Sequence, residues 1–343
     1  MKSHRTTWLN KSRSVLAVAA LVGAAFALEA GPALAQTHRE AKVHIERADA
    51  EAASAAAPLH VSDPRIIANF DFAAGGTPEA IALEPGGSAD VSLSRASTVV
   101  NVALDGQVTP LAQLPRTGSC PALGIPFVAG IADAAGGSAF VDNCTGNAET
   151  GVWQLHDLVP ATQIASLPSD SVPHGMALDS LTGNLYVADS QRGVIWRISP
   201  DGGSATVWAS GPALQKMTLF GANGVVVHDN AVWVSNTDQG TILEIPFRHD
   251  GTAGPIDTVA SGFPGDVGAF TVVGPDDTIL AALTHSNEIV SIRPGERPQV
   301  LLTAADGLSN PTDVALAHRT LYVSNGAYFT HFDPNLLIAQ VEG

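Results

Sequence analysis

From about residue 65 to the end, short apolar strands alternate with small polar turns, and no stretch keeps the 3.6-residue period of an amphipathic helix. One unit shows the pattern most cleanly. Pro173-His174-Gly175-Met176-Ala177-Leu178 is followed by a turn at Thr182-Gly183-Asn184 and by Leu185-Tyr186-Val187-Ala188-Asp189. Val194-Ile195-Trp196-Arg197-Ile198 comes next, then Pro200-Asp201-Gly202-Gly203 and a fourth strand from Ala205 to Ala209. Aligning the other units on His174 places Glu79, Gly130, Asn223, Asp266 and Asp313 at the same point, with spacings of 51, 44, 49, 43 and 47 residues. A period of that size predicts an all-β, six-bladed β-propeller with four strands per blade.

The last unit ends at Gly343 without an outer strand of its own, whereas Arg65-Ile66-Ile67-Ala68-Asn69-Phe70 precedes the first unit and reads like an outer strand. The expectation is that this N-terminal strand completes the last blade, closing the ring and removing a bare sheet edge.

Strand direction alternates within a blade, so the loop leading into each first strand and the loop leaving each second strand share one face. Nearest the axis stand Glu79, His174, Asn223, Asp266 and Asp313, with Gly130 in the sixth place. Further out stand Asp142, Asn143, Asp189, Asn236, Thr284, His285 and Asn325. Any one Asp or Asn could be there because it favours turns. Taken together, the inner positions describe a ring of oxygen donors and one imidazole. Such donors suit Ca²⁺, and the histidine admits another divalent metal.

The first residues carry Lys2, Arg5, Lys11 and Arg13, then an apolar run of 14 from Val15 to Leu28 and a small-x-small motif at Ala33-Leu34-Ala35. The run is short of the roughly 20 residues that span a bilayer, so residues 1–35 read as a secretory signal peptide and the protein as secreted or periplasmic. Residues 36–62 are Ala-rich and polar, a flexible tether before a propeller over 63–343. The net charge of −16 becomes more negative once the leader's cations are gone, which argues against nucleic acid and anionic membranes as partners. Cys120 and Cys144 are the only cysteines, and export predicts a disulfide between them. A monomer is expected.

The chain has no Gly-x-Ser-x-Gly elbow, phosphate loop, dinucleotide fingerprint or Cys-x-x-Cys pair. The strand-opening tripeptides, with Leu185-Tyr186-Val187-Ala188-Asp189-Ser190 and Gly193-Val194-Ile195-Trp196-Arg197-Ile198, resemble the gluconolactonase, regucalcin and senescence-marker family over about residues 65–343. The resemblance extends to paraoxonase-like and NHL-type propellers. It implies a calcium-dependent lactonase or esterase acting on a small ester or lactone. Glu79, His174, Asn223 and Asp266 would hold the metal, His174 standing where the family usually has Asn. Asp313, Asn236 and Asp189 would support these ligands from behind. The ion would polarise the carbonyl, and Asp266 or His285 would take a proton from water. A longer loop at 211–222, with Lys216, Met217 and Phe220, could cover the site. Two other readings stay open: a propeller that only binds a ligand or protein, and a metal-dependent lyase on a cyclic ester.

Overall fold

A computed structural model describes residues 59–134, 138–156, 159–263 and 266–342. The leader at 1–35 and nearly all of the tether fall outside the described residues. The rest forms six antiparallel four-stranded sheets.

The innermost strands are Pro78–Leu83, Phe127–Ala134, Pro173–Leu178, Ala222–His228, Phe270–Val273 and Pro311–Ala317. Each touches the next, and the sixth returns to the first, so the sheets are blades of a closed six-bladed propeller. Leu185–Asp189 and Ala231–Asn236, two of the second strands, are buried along their whole length. That is why these segments read as unbroken apolar runs dominated by Val, Ile, Ala and aromatics rather than as alternating ones. The outer strands lie at the rim: Val108–Gln113 is exposed at five of its six positions.

Blade six draws its outer strand from the start of the described chain, as the sequence predicts. His60–Asn69 pairs antiparallel with Asn335–Glu342, with Val61 opposite Val341 and Asn69 opposite Asn335. The strand opens at His60, so residues 60–62, read from sequence as tether, belong to the sheet. Its register slips between Ser62 and Arg65, around Asp63 with φ 52° and Pro64. Proline lacks an amide donor, and an edge strand with a bulge tolerates it.

Cys120 and Cys144 are bonded, 24 residues apart. Closing a loop of that size contributes about 3–4 kcal/mol through the unfolded chain. The bond joins the loop ahead of blade two to the end of that blade's second strand, and it packs with Phe127, Ala129 and Val172. Leu123, Phe220 and Tyr328 lie against the same cluster. It therefore braces a wall of the central cavity.

Strand pairing fixes the register of the inner strands. Ile81, Ile131, Met176, Val225, Phe270 and Val314 face Val91, Val141, Val187, Val234, Ala281 and Val323. Two residues before each stand Glu79, Ala129, His174, Asn223, Gly268 and Thr312. One residue before stand Ala80, Gly130, Gly175, Gly224, Ala269 and Asp313. This differs from the sequence alignment in three blades: Gly130 and Asp313 are one position late, and Asp266 is two positions early. The glycines of the second set have a steric cause. A Cβ on Gly175 would come within 2.2 Å of the Asn223 carbonyl oxygen, and one on Gly130 within 2.7 Å of the His174 carbonyl oxygen. Only a residue without a side chain lets the inner strands approach this closely.

Candidate functional site

The first of these two sets faces a cavity of about 230 Å³ on one end of the propeller. Glu79, His174, Asn223, Gly268 and Thr312 form its floor; Phe127, Phe220, Tyr328 and Phe329 contribute aromatic walls, with Leu123 and Leu219. Below the floor a narrower channel of about 170 Å³ follows the axis, with Asp313 on its lining.

Glu79 and His174 meet across the floor, with Nε2 of His174 3.6 Å from Oε1 of Glu79. Glu79 Oε2 accepts a hydrogen bond from the Tyr328 hydroxyl, which lies 2.5 Å from Ser94 Oγ. The imidazole lies against the rings of Phe127 and Phe220, at centroid distances of 5.7 and 5.3 Å. Asn223 is hydrogen-bonded to His174, and its Nδ2 donates to Thr237 Oγ1 at 2.7 Å. The Thr312 hydroxyl donates to the Pro78 carbonyl at 3.0 Å, a bond that ties blade six to blade one.

Burial sets the charge of these groups. It raises Glu79 from 4.5 to about 8, against the Tyr328 hydrogen bond that favours the carboxylate, with Asp313 adding to the rise. It lowers His174 from 6.5 to about 4, which the Asn223 hydrogen bond partly offsets. At neutral pH the pair is thus a carboxylic acid beside a neutral imidazole, both uncharged under an apolar vault. Such oppositely displaced values are the arrangement that acid–base chemistry near pH 7 uses.

Thr284 also lines the cavity, as its place on this face predicts, whereas the residues that follow have other surroundings. Asp266 is half-buried and outside both central cavities, and its Oδ1 accepts the His285 amide at 2.8 Å. The segment Gly265-Asp266-Val267 imitates Ala222-Asn223-Gly224-Val225 in composition, but pairing of Phe270 with Ala281 puts Gly268 in the ring. His285 is exposed, its ring edge-on to Phe329 at 4.8 Å. Asp313 serves the backbone: Oδ2 accepts from the Ile81 amide at 2.8 Å and Oδ1 from the Val314 amide at 2.7 Å. Asp189 and Asn236 are fully buried loop anchors. Asp189 accepts from the Val172, Gln191 and Arg192 amides and from Trp196 Nε1, and Asn236 donates to the Ala213 and Gln215 carbonyls. Of the 211–222 loop, Leu219 and Phe220 reach the cavity. Lys216 instead donates to Gln191, and Met217 is exposed.

Sequence reasoning missed Tyr328, Phe329 and Phe127. The visible signal was Tyr328-Phe329-Thr330-His331-Phe332, an aromatic-rich stretch in a loop, where an apolar side chain has no blade core to enter.

Calcium takes six to eight oxygen ligands. Facing one another on the floor are one carboxyl shared with Tyr328, one imidazole, one amide and a hydroxyl committed to a carbonyl. With Asp266 turned to the backbone and Asp313 holding two amides, that set does not fit Ca²⁺. Among the described residues, three or more metal-capable side chains come close together elsewhere, at His228, Asp229 and Asp277, whose ligand atoms lie within 4.8 Å of one another.

The raised acids also make stability depend on pH. Glu79, Asp313 and Asp133, the last two lifted from 3.8 to about 7, bind a proton more tightly folded than unfolded, as does Asp142. Their contribution is full below the unfolded values and is lost as pH rises through about 7–8. His174 works in the opposite sense, but only between about 6.5 and 4. The melting temperature is therefore expected to rise by several degrees from pH 8.5 to pH 6.5, and a Glu79→Gln variant to show a shallower rise. Melting curves that climb with pH across this window would contradict the assignment.

No protein-family model and no curated protein matches the chain. Its fold is that of several solved propellers. A regucalcin described as calcium-binding, from Agrobacterium tumefaciens, is 14% identical with a TM-score of 0.61, covering 81% of this chain and 93% of its own. The PQQ-bound aldose sugar dehydrogenase of Streptomyces coelicolor is 17% identical with a TM-score of 0.59, covering 83% and 99%. A gluconolactonase from Xanthomonas campestris is 15% identical with a TM-score of 0.56, covering 83% and 97%. Identities this low establish the shared propeller fold, and the chemistry has to be argued from the residues in the cavity.

Proposed function

We propose that the cavity binds a small, largely apolar ester or lactone and hydrolyses it by general acid–base catalysis, with Glu79 as acid and His174 as base. The observation that carries this reading is the uncharged Glu79–His174 pair, 3.6 Å apart at the floor of an aromatic-walled cavity. The likeness in fold to a gluconolactonase supports the substrate class.

Neutral His174 takes a proton from a water molecule that attacks the carbonyl carbon. Glu79, with Tyr328 fixed on Oε2, presents Oε1 towards His174 and the cavity. It donates to the developing oxyanion and then protonates the leaving alkoxide as the acyl–oxygen bond breaks. The products are a carboxylic acid and an alcohol, or one hydroxy acid from a lactone. Transfer of the proton from the imidazolium back to the Glu79 carboxylate restores the starting state. No step is routed through calcium, because the donors on the floor do not make its coordination shell.

The disulfide and the leader-like first residues support an exported protein. Among the described residues no helix is long and apolar enough to cross a membrane.

The test is a panel of aliphatic and aryl esters and lactones assayed with purified protein after chelation and again with added Ca²⁺. Turnover that survives chelation, with a melting curve unmoved by Ca²⁺, is the expected result. Activity that vanishes on chelation and returns with Ca²⁺ would restore the metal-dependent mechanism. Tight binding without turnover of any member would leave a ligand-binding propeller.

A further inference from the structure

Beside the central cavity lies a second, more open one of about 300 Å³, lined by Phe72, Arg95, Leu123, Ile125, Phe127, Tyr328 and His331. Leu123, Phe127 and Tyr328 belong to both, so the two cavities adjoin and one ligand can occupy both. The first is walled by hydrocarbon and aromatic surface. The second holds a cation.

Arg95 is half-buried, and its guanidinium carbon lies over the Phe72 ring at 4.7 Å. Phe72 in turn stacks on His331, with centroids 4.8 Å apart. Two other arginines are held by carboxylates, Arg192 by Asp170 at 2.7 Å and Arg293 by Asp276 at 2.9 Å. Among the described residues the Arg95 guanidinium has no carboxylate partner. The aromatic stack orients it without using its N–H donors, which remain free to grip a planar anion through two parallel hydrogen bonds. In a protein of net charge −16, a positioned and unpaired arginine beside an apolar cavity is a place for the ligand's own charge.

We infer that the substrate is an amphiphilic ester or lactone carrying a carboxylate at the far end of an apolar chain, with the carboxylate on Arg95 and the reacting carbonyl over Glu79 and His174. The inference rests on the proposed function only for the identity of the reacting group. Arg95 is a specificity residue and takes no part in bond making.

Binding of paired probes separates the two claims. The monoethyl esters of adipic, suberic and sebacic acids, each against its diethyl ester, are titrated calorimetrically into the wild type, Arg95→Met, Arg95→Lys and His174→Phe. In the wild type at least one monoester binds more tightly than its diester, on the order of tenfold or more, the usual worth of a hydrogen bond to a charged group. Arg95→Met brings the ratio towards one by weakening the monoester, and Arg95→Lys keeps part of it. His174→Phe keeps the preference, because the anion is read elsewhere. Equal binding of monoester and diester, a preference that survives Arg95→Met, or no binding of either series would each overturn the inference. A preference that depends on Arg95 without turnover of any ester would sink the catalytic reading and leave the anion site standing; turnover without preference would do the reverse.

Discussion

His174→Phe is expected to abolish ester turnover almost completely, lowering kcat by about 10²–10⁴, the usual contribution of a positioned proton acceptor. Phenylalanine suits the test because the imidazole already lies against Phe127 and Phe220, so a third apolar ring fills the space, at the cost of the hydrogen bond to Asn223. The wild-type profile should be broad. Below about 4 the imidazole is protonated and cannot accept; above about 8 Glu79 is ionised and cannot donate. Glu79→Gln keeps an N–H donor towards the substrate oxygen but cannot release a proton, so kcat falls and the alkaline limb disappears. Steady-state rates of wild type and both variants from pH 4 to 9.5 decide the matter. A His174→Phe enzyme with unchanged kcat would remove His174 from the chemistry, and a wild-type profile without an alkaline limb would remove Glu79.

The blade count and the closing strand were legible because both follow from local pattern: buried second strands read as apolar runs, and a sixth unit without an outer strand needs one from elsewhere. Glu79, His174 and Asn223 were legible for the same reason, since each is followed at a fixed distance by the apolar residue that faces the second strand. Asp266 was not. Its blade begins with Val267-Gly268-Ala269-Phe270, and the slip of two positions is decided by pairing of Phe270 with Ala281, a contact no short motif encodes. Asp313 was displaced by one position, enough to turn its carboxylate from the ring to the Ile81 amide of the neighbouring blade. The cavity walls were the least legible part. Leu123, Phe220 and Tyr328 come from three separate loops, far apart in the chain, that meet at the disulfide cluster.

Deleting residues 60–69 is expected to produce the largest loss of stability of any short truncation, because the strand is the outer member of blade six and comes from the opposite end of the chain. Its removal strips the ladder from Asn335–Glu342, leaving a long hydrophobic edge open to association with other molecules. It also uncovers two apolar clusters at once. Val61 and Ile66 pack against the group that contains Leu337 and Val341. Ala68, buried to 6% exposure, lies with Leu336 and Ile338 in the group shared between blades six and one. A loss of about 5 kcal/mol would lower the melting temperature by roughly 10–20 °C in a domain of this size class. Unfolding of blade six would also release Asp313 from the Ile81 amide and open the ring at its closure. A control lacking only residues 36–57 keeps every pairing of the strand and should melt like the parent protein. Calorimetric scans of the two truncations, each with a light-scattering trace, make the comparison. If both melt at the parent temperature, the strand is dispensable and the ring holds without it; if both fall alike, the stability of the propeller draws on the preceding segment and not on the closing strand alone.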